Sequence, residues 1–219
     1  METRLETTPA AGHTLFGAWA EELRDAEFRR EALLTGVALG AALATLSHFL
    51  LWVEHRPGVV LPDPLLDLLP PRDLAWAAFL LIYAGIIGGV ALLAKQPRLL
   101  LVAVQAYVVM LVLRMAAMSV VPLDACPGMI PLEDPLVQRL GSGVVLTKDL
   151  FFSGHTSTFF LLFLAVPGGR TVKALFLAGT VGVAACVLWQ HVHYSVDVLA
   201  APVFAYASYR IALRLNPPA

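Results

Sequence analysis

Two short stretches of this chain gather the residue types that carry acid–base and nucleophilic chemistry. The first, Asp149-Leu-Phe-Phe-Ser153-Gly154-His155-Thr156, holds a carboxylate, a hydroxyl and an imidazole. The second, His191-Val-His193-Tyr194-Ser195-Val-Asp197, holds two imidazoles and a carboxylate. His193 and Asp197 stand at i and i+4, so on a helix they share a face. Asp197 can then accept a hydrogen bond from one ring nitrogen of His193, which fixes the tautomer and leaves the other nitrogen as nucleophile or base. Ser153 reads as a helix N-cap. His155 then lies just inside a helix start, where free N–H groups and the positive dipole end suit an anion such as phosphate. Two histidines beside an anion site, one backed by a carboxylate, point to covalent phosphoryl-type transfer. One would attack phosphorus and the other would protonate the leaving alkoxide.

The elements that must position these groups are membrane helices. Of 219 residues, 58% are hydrophobic and 14% charged, against about 45–50% and about 25% in a soluble domain. Too few polar residues remain to cover a soluble globule. The net charge of −1 supplies no field that would draw the chain to nucleic acid. Apolar runs place spans at about 32–53, 74–94, 99–121, 151–167, 174–190 and 194–213, each near the roughly 20 residues a span needs. The expectation is an all-α, polytopic six-helix bundle over 32–214. An N-terminal segment, 1–31, precedes it and a short tail, 215–219, follows. Leu15 to Arg30 sets Leu15, Phe16, Trp19, Leu23 and Phe28 among charges, the pattern of an amphipathic helix lying at a membrane surface. Gly36/Gly40 and Gly85/Gly89 have the small-xxx-small spacing that lets helices approach closely.

Ten of the 15 basic residues fall on one side of these spans, in the N-terminal segment, the second and fourth connections and the C-terminal end. Four fall on the other side, and Arg114 lies within the third span. Both termini are therefore expected in the cytoplasm. The first, third and fifth connections, with both chemical stretches, then face the exoplasmic side.

Asp149–Thr156 resembles the D-x3-S-G-H-T motif of the sphingomyelin synthase family. His193–Val198 resembles that family's H-Y-T-x-D-V motif, with Ser195 in place of Thr. Leu61-Pro62-Asp63-x3-Asp67 is similar to the family's L-P-D-x3-D segment, and Tyr107 and Arg114 loosely to its third-span motif. The likeness runs in order from about residue 60 to 200. It implies six spans, an exoplasmic site and transfer of a phospho-headgroup between lipids. His193 would attack the phosphodiester of a glycerophospholipid, His155 would protonate the departing diacylglycerol, and Asp197 would hold His193. A lipid hydroxyl such as that of ceramide, or water as in a phospholipase C, would then take the headgroup. Asp149 would stand near His155, and Ser153 and Gly154 would support it. Donor phospholipid and a ceramide- or diacylglycerol-class acceptor are the expected partners; no cofactor or metal is expected.

The related type 2 phosphatidic acid phosphatases share the His-His-Asp core but add K-x6-R-P and an S-R ahead of the last histidine. Here no Lys has an Arg seven residues on, and Cys186 and Val187 occupy the S-R positions. A phosphomonoester dianion needs a cationic clamp, whereas a diester monoanion needs less, so the departure favours a diester. Arg114 is the cation available for substrate binding. Tyr107 and Tyr194, with Trp52 and Trp189, could offer a face to a quaternary ammonium.

Blander readings stand beside these. His13, His48 and His55 read as interfacial residues, Tyr and Trp at span ends as the aromatic belt, and Asp63 and Asp67 as loop solvation. Zinc held by His155, His191, His193 and Asp197 is set aside, because the His193–Asp197 spacing reads as tautomer control. Cys126 and Cys186 read as packing residues, with one bridge left open. A lipid phosphatase and a non-catalytic lipid-binding membrane protein are the alternatives, and homo-oligomerisation is left open. The 12 Arg against 3 Lys hint at a bacterial inner membrane.

Overall fold

The computed structural model describes residues 15–132 and 145–216. Arg4, His13, Pro135, Arg139, Gly141, Gly143 and the end of the tail lie outside them. Among the described residues eight helices follow in this order: α1 (Leu15–Glu22), α2 (Ala26–His55), α3 (Pro64–Leu68), α4 (Ala75–Leu93), α5 (Pro97–Val120), α6 (Gly154–Ala165), α7 (Arg170–Trp189) and α8 (Ser195–Leu215). The described residues contain no strand, only an isolated bridge between Val59 and Leu123. Five helices, α2, α4, α5, α7 and α8, are long and apolar enough to cross a membrane.

The expected fourth span departs from that pattern. Its helix, α6, has 12 residues and starts at Gly154 instead of 151, because Ser153 caps it with its hydroxyl accepting from Thr156 N at 3.4 Å. The segment Leu15–Arg30 is also not one helix. It breaks after Glu22, and Asp25 caps a new helix by accepting from Glu27 N at 2.9 Å. The helix of the first span therefore starts at Ala26, inside the segment expected to precede it. α3 was not expected; Asp63 caps it, with Pro64 in its first turn, where the missing N–H is no loss.

Two clusters make the core. Phe159, Phe176 and Val183 join α6 to α7, with Ala78 and Ile82 of α4. Met110 of α5 and Ala201 and Ala205 of α8 pack with Leu161 of α6 and with Phe152. Phe152 is fully buried and stacks on Phe204 with ring centroids 4.3 Å apart. The Phe159 ring lies between two glycines, Gly85 of α4 and Gly179 of α7; a Cβ at either would overlap it. Gly89 likewise admits Leu162, 2.8 Å from where a Cβ would stand. Gly36 and Gly40 face nothing within 4 Å, so of the two expected small-residue faces only the one on α4 receives a helix.

Residues 56–74, 121–132, 145–153 and 190–194 meet at one end of this bundle. There Val59 and Leu123 run side by side, with Val59 N donating to Pro122 O at 2.9 Å and Asp124 N to Val59 O at 3.0 Å. A third cluster, of Leu66, Leu123, Cys126, Leu150 and Tyr194, closes that end.

Candidate active site

The two chemical stretches begin helices α6 and α8, and those beginnings are tied together. Ser153 N donates to Asp197 O at 3.1 Å, and both residues are fully buried. His193 Nδ1 lies 3.3 Å from Asp197 Oδ2, which also accepts from Tyr194 N at 3.2 Å. A carboxylate accepts, so Nδ1 carries the proton and Nε2 keeps its lone pair. Asp197 Oδ1 is buried without a hydrogen-bond partner among the described residues.

Asp149, His155 and His193 line one small cavity of about 60 Å³, with Met129, Leu132, Leu146, Thr147 and Val192. Arg114 stands behind it. Its Nη2 donates to Asp149 Oδ1 at 2.6 Å and its Nε to Phe152 O at 3.1 Å. Arg114 is 7% exposed, so its guanidinium is shielded from water, while Asp149 keeps part of its side chain open to the cavity. Burial pushes the Asp149 carboxyl up, but Arg114, with His193 and His155 nearby, more than offsets this and holds it below the ordinary carboxylate value. Gly154 gives the guanidinium its room: a Cβ there would stand 2.7 Å from Arg114 Nη1. Tyr107, on α5, lies close to the Arg114–Asp149 pair and to Thr158 of α6.

Other expected site residues have different roles. Tyr194 is fully buried; its hydroxyl donates to Asp124 O at 3.0 Å and accepts from Leu61 N at 3.3 Å. It ties the first and third connections together, and burial pushes its phenol up to about 12. Asp63 is not loop solvation. It is 8% exposed, accepts from Ser195 N at 2.6 Å, and so caps α8 as well as α3. Burial raises its carboxyl, and the donations from Ser195, Leu66 and Leu65 bring it below the usual range. Asp67 is exposed. Trp52 is 55% exposed and lies under Arg56 at 5.3 Å. His48 and His55 are exposed on α2. Cys126 and Cys186 are free and buried; burial, with Asp197 and Asp63 nearby, pushes the Cys126 thiol up to about 12.

Sequence reasoning missed two supports. Glu54, in the last turn of α2, accepts from Thr147 N at 2.9 Å, Thr147 Oγ1 at 2.5 Å and Lys148 N at 3.0 Å. It thereby fixes the segment that delivers Asp149 to the cavity; a Glu ending an apolar span was the available signal. His191 closes α7. Its Nδ1 lies 2.8 Å from Pro127 O and its Nε2 2.9 Å from Leu69 O, so it does not line the cavity of His155 and His193.

The arrangement offers a nucleophile-grade nitrogen on His193, a second imidazole facing the same space and a helix N-terminus beside it. No protein-family model matches the chain, and no curated protein is significantly similar to it.

Proposed function

We propose that this protein is an integral-membrane phosphotransferase resembling the sphingomyelin synthases, moving a phospho-alcohol headgroup from a glycerophospholipid to a lipid hydroxyl such as that of ceramide. The observation that carries the reading is the convergence of Asp149, His155 and His193 on one cavity, with Asp197 on Nδ1 of His193. In the first half-reaction His193 Nε2 attacks phosphorus. A P–N bond forms, the P–O bond to diacylglycerol breaks, and His155 gives the leaving oxygen its proton. In the second, the acceptor hydroxyl gives its proton to His155, its oxygen attacks phosphorus, and the P–N bond breaks. Water in place of the acceptor gives phospholipase-C-like hydrolysis. The α6 N–H groups and Arg114 favour the phosphoryl oxygens, and Asp197 stabilises the cationic ring of His193.

In this reading α6 completes a six-span bundle, α1 lies at the membrane surface, both termini are cytoplasmic and the cavity opens on the exoplasmic side of a bacterial inner membrane. The test uses the full chain in vesicles with fluorescent ceramide or diacylglycerol and phosphatidylcholine or phosphatidylethanolamine. Headgroup transfer that His193→Ala abolishes is the expected result. If wild type and His193→Ala match across all donors, the reading fails. Phosphate release from phosphatidic acid, without transfer from any diester, would replace it with a lipid phosphatase.

A further inference from the structure

The turn between α7 and α8 carries an unusual residue. His191 N donates to Leu188 O and Val192 N to Val187 O, both at 3.0 Å. These two bonds are the Schellman closure of a helix C-terminus, whose C′ position takes the left-handed conformation and usually holds glycine. Here C′ is His191, with φ of 54°. A side chain at a position that favours its absence calls for a use.

The ring supplies one. Both nitrogens of His191 face backbone carbonyl oxygens, Pro127 O at 2.8 Å and Leu69 O at 2.9 Å. A neutral imidazole has one N–H, and its other nitrogen would turn a lone pair toward a carbonyl; only the doubly protonated ring donates to both. A cavity of about 420 Å³ beside His191 is lined by Asp63 and Asp67 of the first connection and by Tyr194. Pro127 and Leu69 belong to the third and first connections. The flanking backbone is tied to the same turn, with Arg72 N donating to Trp189 O and Ile130 N to Gln190 O, each at 2.8 Å. Gly128, with φ of 72°, lies against the ring; a Cβ there would meet His191 Nδ1 at 3.6 Å, an ordinary van der Waals contact.

We propose that His191 is a positioning residue: its ring, protonated on both nitrogens, clasps the first and third connections onto the turn that presents His193. This rests on the headgroup-transfer reading for its effect on rate, but the clasp itself does not. Met129, one side of the cavity of His193, sits on the segment that the clasp holds, so loosening it displaces a cavity wall without removing a reacting group.

Glycine is the discriminating substitution, because it suits the C′ backbone and deletes only the ring. In His191→Gly, kcat for headgroup transfer is expected to fall about tenfold, with KM within about twofold, as positioning losses do. Amide exchange should quicken over Leu69–Arg72 and Pro127–Ile130. His191→Asn, which tolerates the left-handed backbone and keeps an N–H donor, should recover part of both. Nitrogen-15 spectra of labelled histidine should show, at about pH 7, a ring signal protonated on both nitrogens that disappears in His191→Gly while those of the other histidines remain. A ring with a single N–H, or His191→Gly with unchanged exchange and kcat, overturns the proposal. If wild type transfers no headgroup, the functional reading fails, while the exchange and ring spectra still decide the clasp.

Discussion

The two ends of the bundle use charge in opposite ways. At the end that carries the cavity, Arg114 pairs with Asp149 with side chains 8% and 27% exposed, and His193 with Asp197 at 2% and 0%. At the far end, Arg98 pairs with Glu22 and Asp25 while its own side chain is 58% exposed. The geometry is equally tight, 2.6 Å against 2.7 and 2.8 Å. What differs is water. An exposed pair trades one set of hydrogen bonds for another and contributes about 0–1 kcal/mol. The difference lies in the arginines, 8% against 58% exposed, since Asp149 and Glu22 are alike at 27% and 24%; a pair with one member buried has little solvent to fall back on, and losing one partner costs up to about 3–5 kcal/mol. Short distance alone is therefore no guide to which charges matter.

Substitutions can break this comparison. The largest effect belongs to the two histidines proposed to react: His193→Ala and His155→Ala should each lower headgroup transfer by at least about a thousandfold while leaving a folded protein. Next is Arg114→Met, which strands Asp149 beside the cavity and should lower unfolding free energy by about 3–5 kcal/mol. Arg114→Met/Asp149→Asn should recover much of that stability but not the activity. If the double variant is no more stable than the single one, the pair is not what Arg114 contributes.

The pH dependence has a definite sign. In wild type the Asp149 carboxyl is held below its unfolded value, so its contribution is complete above the ordinary carboxylate range and is lost only as pH falls through the lowered value. In Arg114→Met burial is opposed only by His193 and His155, so the folded carboxyl rises from its wild-type value. The variant's carboxylate then takes up its proton at a higher pH than wild type's, so the melting deficit against wild type should be smaller at about pH 5 than at about pH 7. An equal deficit at both would contradict the shielding.

Gly154→Ala is a finer probe. An exposed Gly→Ala change in a helix gains up to about 1 kcal/mol, but here the new methyl meets Arg114. Activity should fall about 10- to 100-fold, and the usual gain in stability should be absent. The smallest effect belongs to the far end: Arg98→Ala should change stability by less than about 1 kcal/mol, and high salt should erase the difference.

Much of this was legible in the chain. Apolar runs locate the five long helices among the described residues, Ser153 caps its helix, and His193 meets Asp197 at the expected spacing. Those features are local, set by periodicity and by residues within one or two turns. The misses are of two kinds. The start of α2 and the presence of α3 were encoded locally, by the caps Asp25 and Asp63 and by Pro64 after Asp63, but were outweighed by the apolar pattern and a run of prolines. Glu54, Asp63 and His191 depend on partners more than 60 residues away. No window along the sequence contains both halves of such a contact.

Phe159 carries one last consequence. It stands at i+4 from His155 on α6, and its ring is lodged between Gly85 and Gly179. A helix of 12 residues is about 18 Å long, well short of the roughly 30 Å of hydrocarbon, so its own hydrophobic length cannot set how deep it sits. The slot between the two glycines sets it instead, like a pin through a shaft. In the proposed six-span bundle the depth of His155 is thus referenced to α4 and α7, not to the surrounding lipid, and the proposed turnover should be indifferent to acyl-chain length where a mismatch-positioned helix would tilt or slide.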